Sequence, residues 1–332
     1  MGEIYLVTGA AGHLGNTVVR KLLDSGKKVR ALVLANDKAA ELLPKEVDVF
    51  EGNVTDKDSL RAFFDVGGSE AIVIHCAGIV SIVSKFDQRV YNVNVNGTKN
   101  IVELCLENKV KKLVHVSSVH AIPEQAPAQV MTEISDFDPE KVVGLYAKTK
   151  AEATAYVLAA CDRGLNASVV HPSGISGPGD SGRGHITQLL IDYCKGTLTA
   201  GVHGGYDFVD VRDVADGVIS CCERGRQKEC YILANKYFSV EDLFLIFHRI
   251  TGKHLIKTII PMWFAKGTAC LAEIYYKIRR QPPLYTAYSL YTLSSNSRFS
   301  SEKAQRELGY KNRPFDDTIK DTYEWLKAQN RF

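Results

Sequence analysis

With 332 residues the chain is long enough for a large core and two lobes of unequal size, since single cores stop growing near ~250–300 residues. Its net charge of +3 is spread through both signs, without a basic block to grip nucleic acid or an acidic tail, and its eight cysteines show neither a C-x-x-C pair nor a zinc-like histidine spacing. No apolar run reaches the ~18–20 residues of a membrane span and the first strand starts too near Met1 for a signal peptide, so a soluble cytoplasmic protein with no metal, no nucleic-acid partner and no membrane span is expected.

Residues 3–8, Glu-Ile-Tyr-Leu-Val-Thr, form a short apolar run that breaks into Gly9-Ala10-Ala11-Gly12-His13-Leu14-Gly15, and helical periodicity follows from Asn16 to Leu23. Strand, glycine turn and helix in that order suit a dinucleotide. Gly9 permits the turn, Gly12 lets backbone approach a pyrophosphate, Gly15 lets the helix pack on the strand, and the helix N-terminus holds the anion. A second strand, Lys28 to Leu34, ends where such proteins select their cofactor. Leu34 neither accepts from a ribose as an acid does nor pairs with a 2′-phosphate as an arginine does, which leaves NAD or NADP open with a lean to NAD. A short strand over Glu46 to Phe50 leads to Gly52-Asn53-Val54, with Asn53 and Val54 expected beside the adenine, and a helix is expected over Asp56 to Phe64. The buried strand Ala71 to His75 runs into Cys76-Ala77-Gly78. His75 and Cys76 are expected beneath the cofactor, and the small Ala77 and Gly78 let it lie against backbone.

From Val90 to Leu106 a helix carries Asn94 and Asn96 in its interior, at a cost in propensity that suggests a buried amide facing the centre. Strand Lys112 to Val116 ends at Ser117-Ser118, at the carboxyl edge of a parallel sheet where ligands bind, with Ser118 the candidate hydroxyl and Ser117 the second choice. Residues 120–141, with Pro123, Pro127 and Pro139, form a loop over the site. The helix from Leu145 to Ala160 presents Tyr146 and Lys150 on one face, four residues apart. Strand Ala167 to His171 closes the dinucleotide core, and Pro172 to Asp180 is too rich in glycine and proline to continue it, so the chain leaves there to build a second lobe. Tyr206 to Ala215 returns as a strand-to-helix junction and Glu229 to Ala234 as a strand. Beyond Ser239 the pattern is mostly helical. Pro261 to Arg280 reads as an amphipathic helix whose aromatic stripe is either core or a lid over an apolar substrate, continued by Tyr285, Tyr288 and Tyr291.

Taken together, Thr8 to Gly15, Asn94-Val95-Asn96-Gly97-Thr98, Val116-Ser117-Ser118, Tyr146-Ala147-Lys148-Thr149-Lys150, Gly177-Pro178-Gly179-Asp180, Phe208 to Ala215 and Phe299 to Tyr310 resemble the extended short-chain dehydrogenase/reductase superfamily over nearly the whole chain. The resemblance implies an α/β fold, a Rossmann-type doubly wound parallel sheet with a smaller, mostly helical C-terminal substrate lobe. Residues 1–172, rejoined by about 205–235, would form the dinucleotide-binding domain, and 173–204 with 236–332 the substrate-binding lobe. Pro172-Ser173-Gly174-Ile175 has Gly174 where sugar-nucleotide epimerases carry an asparagine, and looks more like the branch of dihydroflavonol reductases and 3β-hydroxysteroid dehydrogenases. Pro282-Pro283-Leu284 is similar to the same branch, whereas Leu34 and Asn53 depart from the family's usual residues at their places.

Roles follow from the resemblance. Tyr146 would be the acid/base, with Lys150 favouring its phenolate and holding the nicotinamide ribose, Ser118 donating to the substrate oxygen, and Asn94 ordering a proton path. The cofactor would lie along Gly9, Gly12, His13, Leu14 and Gly15, then Leu34, Asn53 and Val54, then Cys76, Ala77, Gly78 and Asn94. On its nicotinamide side it would meet Val116, Ser117, Tyr146, Lys150, His171, Pro172, Ser173, Gly174 and Ile175. The substrate would touch Val80, Ser118, His120, Tyr146, Ser173, Gly174 and His185. The expected function is an NAD(P)-dependent oxidoreductase acting on a bulky, apolar hydroxyl or carbonyl substrate, hydroxysteroid-like or else flavanonol- or aldehyde-like, in a homodimer paired through helices. Two other readings stand beside it: a nucleotide-sugar epimerase or dehydratase, and a dinucleotide-sensing protein without catalysis.

Overall fold

The computed structural model describes residues 2–81, 86–126, 129–182, 184–267 and 287–332. Seven strands, β1 (Glu3–Thr8), β2 (Lys28–Val33), β3 (Asp48–Glu51), β4 (Glu70–His75), β5 (Lys112–Val116), β6 (Ala167–Pro172) and β10 (Cys230–Leu233), form one parallel sheet in the order β10-β6-β5-β4-β1-β2-β3. The order reverses at β1, which pairs with β2 on one side and β4 on the other. A crevice opens there beyond the carboxyl ends of the strands, where ligands bind in sheets of this kind. This is a Rossmann-like doubly wound fold.

Helices cover both faces, as a parallel sheet requires. On one side α1 (His13–Asp24) and α7 (Val211–Arg224) pack Val18, Val19, Val214 and Val218 against Val7, Ile74, Val114 and Val170. On the other, α4 (Thr98–Glu107) and α5 (Leu145–Cys161) pack Ile101, Val102, Ala147, Ala151 and Val157 against Leu6, Val73, Leu113 and Val169. Alternate strand residues supply the two sets, the period of an extended chain. The expected helix over 56–64 is shorter, a 3-10 turn at Asp58–Leu60 followed by α2 (Arg61–Phe64). Leading into α4, α3 (Gln88–Tyr91) passes into a π-helical stretch, Asn92–Gly97.

A second sheet has β9 (Gly205–Asp210) between β7 (Gly174–Ser176) and antiparallel β11 (Lys236–Ser239). With α6 (His185–Lys195), α8 (Val240–Thr251) and α11 (Phe315–Ala328) it encloses its own core, including Leu190, Phe208, Phe244, Phe247 and Phe315. The remaining elements are β8 (Gly201–Val202) paired with β12 (Ile259–Ile260), and two helices, α9 (Ala287–Ser294) and α10 (Glu302–Leu308). The apolar stretch expected as a helix over Pro261–Arg280, with Pro282 to Tyr285 after it, lies from residue 268 to 286 outside the described residues. Among the described residues no helix is long and apolar enough to cross a membrane.

Candidate active site

The glycine turn comes first along the crevice. Gly9 has φ +66°, and a Cβ on it would lie 2.7 Å from the amide nitrogen of Ala77, so the turn and the loop after β4 touch backbone to backbone. A Cβ on Gly15 would overlap the carbonyl of Gly9, which is how α1 sits so near β1. Gly12, by contrast, is exposed at the head of α1, where neither a side-chain cap nor an acidic residue satisfies the first-turn N–H groups. That open, partly positive helix end suits a pyrophosphate. His13 sits half-buried beside it and donates from Nε2 to the carbonyl of Pro178 at 3.1 Å, tying the turn to the 177–180 loop.

Further along, a Cβ on Gly78 would stand 3.2 Å from Nζ of Lys150 and 3.4 Å from Oδ1 of Asn94, so this glycine keeps a cradle open beside the ammonium. Cys76 and Ala77 are anchored by their amides to the carbonyl and hydroxyl of Thr8, each at 3.2 Å. Burial pushes the Cys76 thiol up to about 12, which leaves it an inert packing group. An open helix end, a small-residue floor and a buried cation therefore lie in a line that fits a dinucleotide.

Above the carboxyl end of β5 the two serines part company. Ser117 turns its hydroxyl to Thr154 on α5, 2.7 Å away, as a buried structural pair. Ser118 caps the 3-10 turn Val119–Ala121 and accepts the amide N–H of His120 at 3.2 Å, which leaves its own hydrogen to donate. Tyr146 and Lys150, one turn apart on α5, both point inward and are buried. Burial pushes the Tyr146 phenol up to about 12, while the Ser118 hydroxyl pulls it down. Lys150 donates to the carbonyl of Val116 at 2.9 Å, and burial lowers its ammonium to about 8.

Asn94 lies within the π-helical stretch and has its amide fully engaged. Its oxygen accepts from the Ile79 amide at 2.8 Å, and its nitrogen donates to the Ile79 carbonyl at 3.0 Å and to Thr149 at 3.1 Å. It stitches the loop after β4 to α5, a use that fits the appearance of π turns at functional sites. Beneath α5, three neighbouring strands end in histidines on the same face. His75 bonds Thr8 at 2.7 Å and Thr98 at 3.0 Å, and its ring centre lies 5.3 Å from that of His115. His171 donates from Nδ1 to the carbonyl of Ser118 at 2.9 Å and stacks on Phe137 at 5.1 Å. His115 is fully buried, and neither of its ring nitrogens has a hydrogen-bond partner among the described residues. Burial holds all three neutral, and the ammonium of Lys150 pushes the same way.

Other expected residues are more dispersed. Leu34 is exposed at the end of β2, and Arg30 is committed to Asp48 at 2.6 Å and to the carbonyls of Ala62, Phe63 and Asp65. Asn53 is exposed and caps Thr55, while Val54 is buried against Gly97. Val80 is exposed beside the crevice, and His185 is exposed at the first turn of α6. At the end of β6, Ser173 donates to the carboxylate of Asp207 at 2.5 Å. A Cβ on Gly174 would collide with the Phe208 ring at 2.7 Å and the Asp207 carbonyl at 2.9 Å, so the strand pairing leaves no room there for an asparagine.

Three residues near the site went unread in the sequence. His115 has only strand periodicity to mark its face. Tyr206 and Asp207, on consecutive positions of β9, reach His120 and Ser173 across 86 and 34 residues, and no local pattern carries such pairings. Asp207 is buried, and burial raises its carboxyl to about 6 against the pull of Ser173 and the Asn235 amide. Among the described residues no group of three or more His, Cys, Asp or Glu is placed to hold a metal ion.

The sequence profile of the NAD dependent epimerase/dehydratase family matches residues 5–234. Sterol demethylase protein B of Methylococcus capsulatus is 30% identical over 329 residues, spanning 98% of both proteins. The 3 beta-hydroxysteroid dehydrogenase type 7 of Mus musculus is 27% identical, over 98% of this chain and 96% of that protein. Among solved structures, the crystal structure of gox2253 is 28% identical and superposes with a TM-score of 0.86, covering 99% of each chain.

Proposed function

The chain belongs to the NAD dependent epimerase/dehydratase family, and on that premise we propose that it is an NAD-dependent oxidoreductase interconverting a secondary alcohol and a ketone on a bulky apolar, hydroxysteroid-like substrate. The observation that carries this reading is the dry constellation of Ser118, Tyr146 and Lys150 beside the Gly78 cradle. Support for the substrate class comes from the names of the sterol and hydroxysteroid relatives. The crowding at Gly174 favours it over a nucleotide sugar, since the family's sugar-nucleotide branch places a larger side chain at that position. Arg30, held by Asp48 and three carbonyls, is unable to meet a 2′-phosphate, which supports NAD over NADP.

The residues divide the work by proton and charge. A bound nicotinamide supplies or accepts the hydride at the substrate carbon. Tyr146 moves the matching proton on or off the substrate oxygen. Its raised phenol keeps that proton at neutral pH, the form that protonates a developing alkoxide. Ser118 donates to the same oxygen as charge gathers on it, with its lone pair already occupied by the His120 amide. For the oxidative direction the phenolate must form; the Ser118 hydroxyl favours it, and Lys150, charged below about 8, is the cation one turn along α5.

The direct test is nicotinamide absorbance during incubation with hydroxysteroids, flavanonols and aromatic ketones, with NAD and NADP in parallel arms. Turnover of a steroid alcohol with NAD is the expected result. Silence across the panel together with tight binding of a UDP-sugar would replace this reading with the epimerase one.

A further inference from the structure

We propose that Tyr206, on the small sheet and distant in sequence, is a positioning residue for the Ser118 and Tyr146 pair and acts through His120; the proposal rests on the oxidoreductase reading of that pair. The Tyr206 hydroxyl shares a hydrogen bond of 2.9 Å with Nε2 of His120, and the two rings lie 18° from parallel with centres 5.5 Å apart. His120 meets the Tyr146 ring edge to face, with centres 5.9 Å apart at 74°, and its amide N–H is the one that donates to Oγ of Ser118 at 3.2 Å. One residue therefore touches both members of the reacting pair, Tyr146 through its ring and Ser118 through its main-chain amide.

His120 stands on a three-residue 3-10 turn, too short to fix a side chain by itself. β9 holds it from the second sheet. Tyr206 is paired across the sheet with Phe238, and the next residue, Asp207, points the other way to grip Ser173 at 2.5 Å and the Asn235 amide at 3.1 Å. The second sheet is thus braced against the end of β6 and the segment after β10 while its tyrosine holds the imidazole. Burial keeps His120 neutral, its acid–base midpoint lowered to about 4, so its contribution is orientation and not charge. A displaced His120 would let the Tyr146 ring tilt and, by shifting the 3-10 turn that carries the His120 amide, loosen the Ser118 hydroxyl. Small misplacements of that kind lower turnover more than they lower binding.

Tyr206→Phe removes one oxygen and leaves both ring contacts. We expect kcat on a steroid alcohol to fall about tenfold, with KM and NAD affinity, read by fluorescence titration, moving less than twofold. His120→Phe should fall at least as far, and the double variant no further than His120→Phe alone, because the tyrosine acts only through the imidazole. Turnover of Tyr206→Phe within twofold of the wild type, or losses that multiply in the double variant, would overturn the proposal. A second arm needs no substrate. In protein with 15N-labelled histidine, the His120 ring signals should move in Tyr206→Phe while the signals of the other eight histidines stay, and an unmoved His120 would also overturn it. Should the wild type itself turn over nothing, the oxidoreductase reading fails and the isotope arm still decides whether Tyr206 sets His120.

Discussion

The two faces of the large sheet are built by the same strands and end differently. Toward α1 and α7, β5 and β6 open on a buried Lys112 bonded to Ser168 at 2.7 Å, and at their carboxyl ends β4, β5 and β6 present Ile72, Ile74, Val114, Val116 and Val170, all hydrocarbon. Toward α4 and α5 the same strands begin with Val73, Leu113, Ala167 and Val169, then finish in His75, His115 and His171, with Lys150 above them. Hydrocarbon packed on hydrocarbon needs no partners, whereas a buried imidazole loses free energy wherever a ring nitrogen goes unbonded. At the carboxyl ends of these strands the α1/α7 face is therefore the stabilising one. On the other face the last layer beneath α5 gives up stability, and in exchange the phenol and ammonium sit in a dry, pre-set environment.

The sharpest way to probe the polar face is Tyr146→Phe, which deletes one buried oxygen. Turnover should fall by at least about a thousandfold while thermal stability and NAD binding stay as they are, and steady-state rates with a fluorescence titration check both halves. Lys150→Met comes next and should separate activity from stability. Turnover drops about a hundredfold, yet the protein without cofactor becomes more stable at pH 7. A fall in the lysine from its ordinary 10.5 to about 8 corresponds to about 3 kcal/mol against the charged form, offset by about 1–2 kcal/mol for the orphaned Val116 carbonyl. The sign follows from the folded value lying below the unfolded one. Wild-type stability from this group is full above 10.5, declines as pH falls toward about 8, and is flat below that. Denaturant midpoints of the two proteins should therefore converge as the pH rises from 7 and cross before 10.5, the wild type being the more stable at the alkaline end.

The smallest effects compare two neighbours on β5. Val114→Ala, on the hydrocarbon face, should lose about 2 kcal/mol of stability with kcat within twofold. His115→Leu, one residue on and facing α5, should gain about 1 kcal/mol because an imidazole with two unbonded nitrogens is replaced by an apolar group. Chemical denaturation of the pair settles it. Equal losses at both positions would erase the contrast between the faces.

Much of this was legible from residues close together in the chain. The glycine turn, the apolar strand runs and the i, i+4 relation of Tyr146 and Lys150 are local patterns, and the strand-turn-helix beginning and the inward pair on α5 follow from them. The serine choice was legible in part: alternation at a strand end says that Ser117 and Ser118 face opposite ways, but which one meets Tyr146 depends on the packing of α5. The π-helical stretch around Asn94 has no signature in propensity beyond the unusual asparagines. Tyr206 and Asp207 were readable only as part of a strand, because their partners belong to elements joined in space by the second sheet.

The crevice at the head of the sheet exists because the chain runs outward from β1 to β3 and then comes back to place β4 on β1's other side. That route also governs how the protein leaves the ribosome. Residues 3–8 emerge ahead of the other strands of this sheet and pair with β2 when residues 28–33 follow, but their other edge waits for residues 70–75. At ~5–20 residues per second the wait is on the order of seconds. For that interval an interior strand of the finished sheet is an open apolar edge, the kind of surface that recruits foreign strands. The hazard belongs to the nascent chain and vanishes in the folded one, so holding factors that cover the segment between β1 and β4 during synthesis should raise the yield of native protein more than any change to the mature surface.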